Sequence, residues 1–165
     1  MTVVLAGCGG SSGNSGSGTG GQPSAAASPG SGGGRASSQP TCALAPASVV
    51  NAALGSDLGA PQQTLNGTVT VCTYQGPKAG QVIVRFQTGD NATTFAAGRK
   101  AFDANHEPTK DYPGFADEAY TNTLGSGSLM LNTLVARQGS TEILVTSKAS
   151  FASEQKLEQQ LFSRL

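Results

Sequence analysis

Catalysis near neutral pH needs a general base, an activated nucleophile or a set of metal ligands, and this chain offers few side chains for any of them. It has one histidine, His106, beside Glu107 and with Asp103 and Asp111 close in sequence. Histidine titrates near neutrality, so residues 103–111 are the one local group that could run acid–base chemistry. The stretch is polar and follows a helical pattern, and an exposed loop histidine explains it more simply. Asp117 and Glu118 are adjacent carboxylates. Neighbours in a strand point to opposite faces, so the pair is not expected to act as a dyad. Asp117 is expected instead to accept backbone hydrogen bonds in the turn after Pro113-Gly114-Phe115. Two glycine motifs carry no weight. Gly9-Gly10-Ser11-Ser12-Gly13 fits the hydrolase elbow and Gly16-Ser17-Gly18-Thr19-Gly20-Gly21 fits the dinucleotide loop. Both need a strand before and a helix after, and a Gly/Ser tract produces them by composition. Arg99, Lys100 and Arg137 read as separate, solvated charges. The residues therefore predict no catalytic group, no metal site and no cofactor.

The three cysteines carry a different chemistry. Leu5-Ala6-Gly7-Cys8 resembles a bacterial lipobox: an apolar residue, two small ones, then a cysteine whose thiol accepts a diacylglyceryl group. Val3-Val4-Leu5 reads as the end of its apolar region, and the charged n-region is not in the sequence, so residues 1–8 read as a truncated lipoprotein signal. Lipid attachment at Cys8 accounts for the odd cysteine count. Cys42 and Cys72 then pair as a disulfide, the alternative being two buried free thiols. Zinc binding is disfavoured, because His106 is the only further imidazole for two cysteines 30 residues apart.

Composition places the anchor at the head of a spacer. Residues 9–40 hold 11 Gly, 9 Ser and no Leu, Ile, Val, Met or aromatic residue, so they have nothing to bury against the entropy of ordering. They are expected to form a disordered tether, with an end-to-end distance of roughly 30 Å, ahead of a single folded domain at 41–165. That domain carries 9 basic and 10 acidic residues, a balance that excludes the clustered positive charge nucleic acid requires. No run of about 18 apolar residues occurs. The expected location is the outer face of the plasma membrane, in the cell envelope, held there by the acyl anchor on Cys8.

The domain reads as αββαβββα. Pro46 and Gly55 bracket a helix that turns Val49, Val50, Ala53 and Leu54 to one side. Thr68–Tyr74 alternates with period two, and Val82, Val84 and Phe86 line the return strand beyond a Gly76–Gly80 hairpin. Asp90 or Asn91 caps a helix over 92–104 carrying Phe95 and Phe102. Residues 105–115 read as a surface loop. Strands follow at 118–124, 128–137 and 142–146. A final helix at 151–164 is expected to turn Phe151, Leu157, Leu161, Phe162 and Leu165 inward, with Glu154 and Arg164 suiting the helix dipole. Hairpin-joined strands between helices predict an α+β fold, an antiparallel sheet with flanking helices.

Cys42, Ala53-Leu54-Gly55, Cys72-Thr73-Tyr74, Asp117-Glu118-Ala119-Tyr120 and Leu134-Val135-Ala136-Arg137-Gln138-Gly139, in this order, give residues 41–165 a further likeness. The chain resembles a family of small actinobacterial, largely mycobacterial, lipoproteins with a domain of unknown function, similar to PsbP-like α/β/α sandwiches. Ala116 stands where that family has glycine. The resemblance implies an envelope lipoprotein and no established activity. The expected function is a non-catalytic binding or interaction domain, taking a small apolar ligand or an envelope protein. The alternatives are a cell-wall hydrolase or transferase with its site around 103–111, and an accessory subunit docking a membrane or secreted partner.

Overall fold

Alternating burial builds the centre of the molecule. A computed structural model describes residues 39–165; Cys8, the expected lipid-attachment site, and residues 9–38 of the expected tether lie outside the described residues. Strand β2 (Val69–Gly76) buries Thr70, Cys72 and Tyr74, and β3 (Gly80–Thr88) buries Val82, Val84 and Phe86. Between β3 and its neighbour β7 (Thr141–Ser147), Val84 pairs with Val145 and Phe86 with Ile143, so four apolar side chains share one face. Strands β6 (Leu131–Gln138), β5 (Glu118–Leu124) and β4 (Thr109–Asp111) continue the sheet, and β1 (Gln62–Asn66) closes the other edge. The order is β1-β2-β3-β7-β6-β5-β4, every pair antiparallel.

Helices cover both faces, which makes the fold α+β in three layers. Helices α1 (Ala47–Leu54) and α3 (Phe151–Phe162) sit on the face carrying Tyr74, Val84, Phe86, Ile143 and Val145. Helix α2 (Ala92–Ala104) lies on the other, where Phe95 packs with Tyr120, Val135 and Leu144. Its start is a reciprocal cap. The Asn91 side-chain Oδ1 accepts from the N–H groups of Thr93 (2.9 Å) and Thr94 (3.2 Å), and the Thr94 hydroxyl accepts from Asn91 N–H (2.9 Å). Asn91 is therefore the cap, and Asp90 instead accepts from the Thr94 hydroxyl.

Cys42 and Cys72 are joined (S–S 2.03 Å, Cα–Cα 5.6 Å), which ties the 3₁₀ turn Cys42–Leu44 to β2. The Tyr74 hydroxyl donates to Ala45 O beside it. Contacts begin ahead of Thr41: the Thr70 hydroxyl donates to Pro40 O (2.7 Å) and Gln39 Nε2 donates to Thr70 Oγ1 (3.3 Å).

The sequence reading needs four corrections here. Its element order omits two edge strands. β1 is polar and exposed along its whole length, so only its pairing with β2 makes it a strand. β4 lies inside the expected 105–115 loop and is held by pairing with β5. The long strand of the 128–137 region starts at Leu131, after a 3₁₀ turn at Gly127–Leu129. Leu165 is 51% exposed instead of inward. Ala116 adopts φ 54°, the left-handed region. This is the position where the resembled lipoproteins have glycine, which reaches that region without steric cost.

Candidate functional site

The residues singled out around 103–111 do not converge. His106 is exposed, with φ 62°, and its N–H closes the end of α2 on Asp103 O (3.2 Å). Asp103 Oδ1 accepts from the N–H and hydroxyl of Thr109 (both 3.0 Å), and Asp111 pairs with Arg99. Arg99 also lies over the Tyr120 ring, 5.7 Å from its centroid. It is therefore not the free solvated charge its sequence context suggests. Asp117 and Glu118 are also joined instead of separated. Arg137 reaches both, with Nη1 at 3.5 Å from Asp117 Oδ2 and Nη2 at 2.9 Å from Glu118 Oε2. Asp117 precedes the strand, so alternation does not govern it. It accepts from a backbone N–H as expected, but the donor is Gly139 in the β6–β7 turn (2.8 Å). Among the described residues no group of three or more His, Cys, Asp or Glu side chains is placed to hold a metal ion, and no helix is long and apolar enough to cross a membrane.

The concave surface lies elsewhere. A cleft of about 400 Å³ opens where the end of α1, the β2–β3 hairpin and the link from β7 to α3 meet. Each wall is built by specific side chains. After Gly55 (φ 65°) ends α1, Asn51 holds the next turn. Its Oδ1 accepts from Leu58 N–H (2.8 Å) and the Ser56 hydroxyl (3.0 Å), and its Nδ2 donates to Leu58 O (3.1 Å). The turn then lies against the hairpin, with Gly59 N–H donating to Gln75 O (3.0 Å). A side chain at Gly76 would meet Asp57 O at 2.4 Å, so glycine is required for that approach. On the far side Asn132 Nδ2 donates to Ala149 O (2.7 Å), fixing the link to α3. Leu54, Ala79, Val82 and Ala149 supply apolar wall, and Lys78 and Lys148 stand in the same lining without a carboxylate partner among the described residues.

Behind this lining lies the least expected feature of the molecule. Ser147, in the lining, donates its hydroxyl to Glu154 Oε1 (2.7 Å) and accepts from Ala149 N–H (3.0 Å). Glu154 and Glu158 are both 0% exposed. Glu154 was expected at a solvated helix start, where its charge would suit the dipole; it is instead in the core. Burial pushes its carboxyl up to about 8, against which the Ser147 hydrogen bonds act. Glu158 is held well above the ordinary range by burial first, then by the charges of Glu154 and Glu142. Glu142, on the opposite sheet face, is also raised by burial, but it has Arg85 as a partner.

A sequence signal for the buried pair exists. Glu154 and Glu158 lie three or four residues from Leu157 and Leu161, so helical spacing puts them on the apolar side of α3. The cleft has no such signal, since its lining comes from three separated segments. Sheet, helices and cleft together define an α+β sandwich domain with a partly apolar pocket at one end. Comparison of the chain with family models, with characterised proteins and with solved structures finds no match.

Proposed function

We propose that this chain is a lipid-anchored cell-envelope protein whose domain lies outside the plasma membrane and binds a small, largely apolar ligand without transforming it. The observation that carries the reading is the cleft: apolar wall from Leu54, Ala79, Val82 and Ala149, with Lys78 and Lys148, which form no ion pair among the described residues, and Asp57 in the same lining to meet the polar end of a ligand. Binding pockets combine apolar lining with placed polar groups, and this cleft offers both in similar share. The Cys42–Cys72 bond supports an oxidising compartment, and Leu5-Ala6-Gly7-Cys8 supports the anchor. The resemblance to small actinobacterial lipoproteins points the same way. The engaged carboxylates of Asp103 and Asp111 favour binding over hydrolysis or group transfer.

The reading has two tests. Full-length protein purified from native envelope, extracted with organic solvent and analysed by mass spectrometry, is expected to release a small amphiphile. Ala79→Trp, which fills the cleft, is expected to abolish that release. An empty extract from the unaltered protein would overturn ligand binding. Crosslinks from native envelope mapping to β1 would favour the docking of a protein partner, a reading supported by the absence of any charged residue between Asp57 and Lys78. For the anchor, Cys8→Ala expressed behind a complete signal sequence is expected to leave the membrane fraction or to stay unprocessed. Unchanged partitioning and gel mobility would sink that part.

A further inference from the structure

Helix α3 is joined to the sheet through Lys148–Ser150 and contributes no strand, so displacing it breaks no ladder hydrogen bond. Its seat is mostly apolar: Leu157 and Leu161 pack in one core with Val50 of α1 and Ile143 and Val145 of β7. Two polar contacts add to this, Tyr112 Oη to Gln155 Oε1 (3.1 Å) and Arg164 Nη1 to Leu44 O (3.2 Å). Into this seat the helix carries Glu154 and Glu158, one turn apart and wholly buried. Three of their four carboxyl oxygens, Glu154 Oε2 and both of Glu158, make no well-formed hydrogen bond, and the Val145 backbone only weakly favours the Glu158 charge against burial.

Among the described residues, no element packed against α3 supplies a compensating cation. Helix α1 has no titratable side chain. From β6 the residues facing α3 are Asn132, Leu134 and Ala136, while Arg137 lies on the opposite face with Asp117 and Glu118. From β7 comes the Ser147 hydroxyl; Glu142, across the sheet and paired with Arg85, adds negative charge. The Tyr112 hydroxyl is spent on Gln155, Lys156 is exposed, and Lys78 and Lys148 belong to the cleft. A wholly buried carboxylate with no cation and too few hydrogen bonds for its oxygens, as the Ser147 hydroxyl alone gives Glu154, is costly to hold ionised. Each group must stay protonated or gain water, and water reaches it only if α3 moves.

We propose that Glu154 and Glu158 form a proton lock on α3: protonated, they let the helix seat on the sheet, and ionised, they release it and free the Ser147 hydroxyl in the cleft lining. The consequence for ligand binding rests on reading the cleft as the binding site; the motion of α3 does not. Two like charges one turn apart reinforce each other, so the second proton leaves only after the helix has begun to open.

The test is an NMR titration of the full chain, labelled with ¹³C and ¹⁵N, from pH 5 to 9.5 with no ligand present. The Glu154 carboxyl carbon is expected to titrate with a midpoint near the value of about 8 that burial imposes, and Glu158 well above the ordinary carboxylate range. The amides of residues 151–162, with Ser147 and Val50, are expected to shift or broaden at the same midpoints, while β2 and β3 amides stay in place. Carboxyls titrating in the ordinary range of about 4–5 would overturn the proposal. So would high titration with an unmoved α3. The double variant Glu154→Gln/Glu158→Gln is expected to keep α3 seated throughout; movement as in the unaltered chain would assign the effect to another group and defeat the lock. Should that variant not fold, the unaltered titration decides alone. Failure of the cleft as a binding site would show in the solvent extract and leave these spectra unchanged.

Discussion

Thermal stability is expected to fall as the pH rises from 4.5 towards 8. The sign follows from proton binding. Burial raises the Glu154 carboxyl from 4.5 to about 8, so across that window the folded chain holds a proton the unfolded chain has released. Stability then decreases with pH. The contribution is complete below the unfolded value and is lost as the pH passes through the folded one. At 1.36 kcal/mol per pH unit, Glu154 alone costs about 3 kcal/mol by pH 7. Glu158 acts in the same direction. Against a total stability of about 5–15 kcal/mol, the loss is large, and it corresponds to a fall in melting temperature of roughly 10 °C. Glu158→Met replaces a partnerless carboxyl with an apolar chain of similar length. It is expected to raise the melting temperature at pH 8 and to flatten the slope. Glu154→Gln keeps an oxygen for the Ser147 hydroxyl and is expected to flatten the slope with a smaller gain. Calorimetry at matched ionic strength between pH 5 and 9 checks both. A pH-independent melting temperature in the unaltered chain would show that the carboxyls are not buried as described.

Reduction of the Cys42–Cys72 bond is expected to be the other large perturbation. The bond closes a separation of 30 residues, which in the chain-entropy model stabilises the fold by about 3.6 kcal/mol, within the usual range of about 2–4 kcal/mol. Both cysteines are buried, and the turn they hold carries Ala45, whose carbonyl accepts from the wholly buried Tyr74. Losing the bond should therefore loosen the start of the domain first. Cys42→Ala/Cys72→Ala is expected to lower the denaturation midpoint by an amount matching that free energy. With Cys8 carrying lipid as proposed, thiol labelling of the protein from its native envelope under denaturing, non-reducing conditions should find no reactive thiol before reduction and two after it. A free thiol before reduction would break the pairing and, with it, the assignment of Cys8 to lipid.

The sequence was most legible where neighbours along the chain decide the outcome. Pro46 and Gly55 bound α1, Asn91 caps α2, and the alternation of Val82, Val84 and Phe86 identifies β3, because capping and period-two burial depend on residues a few positions apart. The same locality explains the failures. Gln62–Asn66 has no apolar alternation, and its strand identity is conferred by β2 lying alongside it. Thr109–Asp111 is a strand only because β5 presents a free edge. Arg137 looks solitary in the chain, yet pairing of β5 with β6 sets it opposite Glu118.

By itself the sequence determined the local vocabulary: three helices, the core strands, the candidate anchor and the two cysteines able to pair. Those follow from backbone preference and side-chain periodicity, which act over a few residues. Only the tertiary structure decided how completely that face of α3 is covered. Glu154 at a helix start is a favourable, solvated charge in any isolated helix. It becomes a buried acid only when α1, β6 and β7 close over it and remove the water. The cleft arises in the same way, since Asp57, Lys78 and Lys148 are strangers in sequence and neighbours only after the sheet has paired.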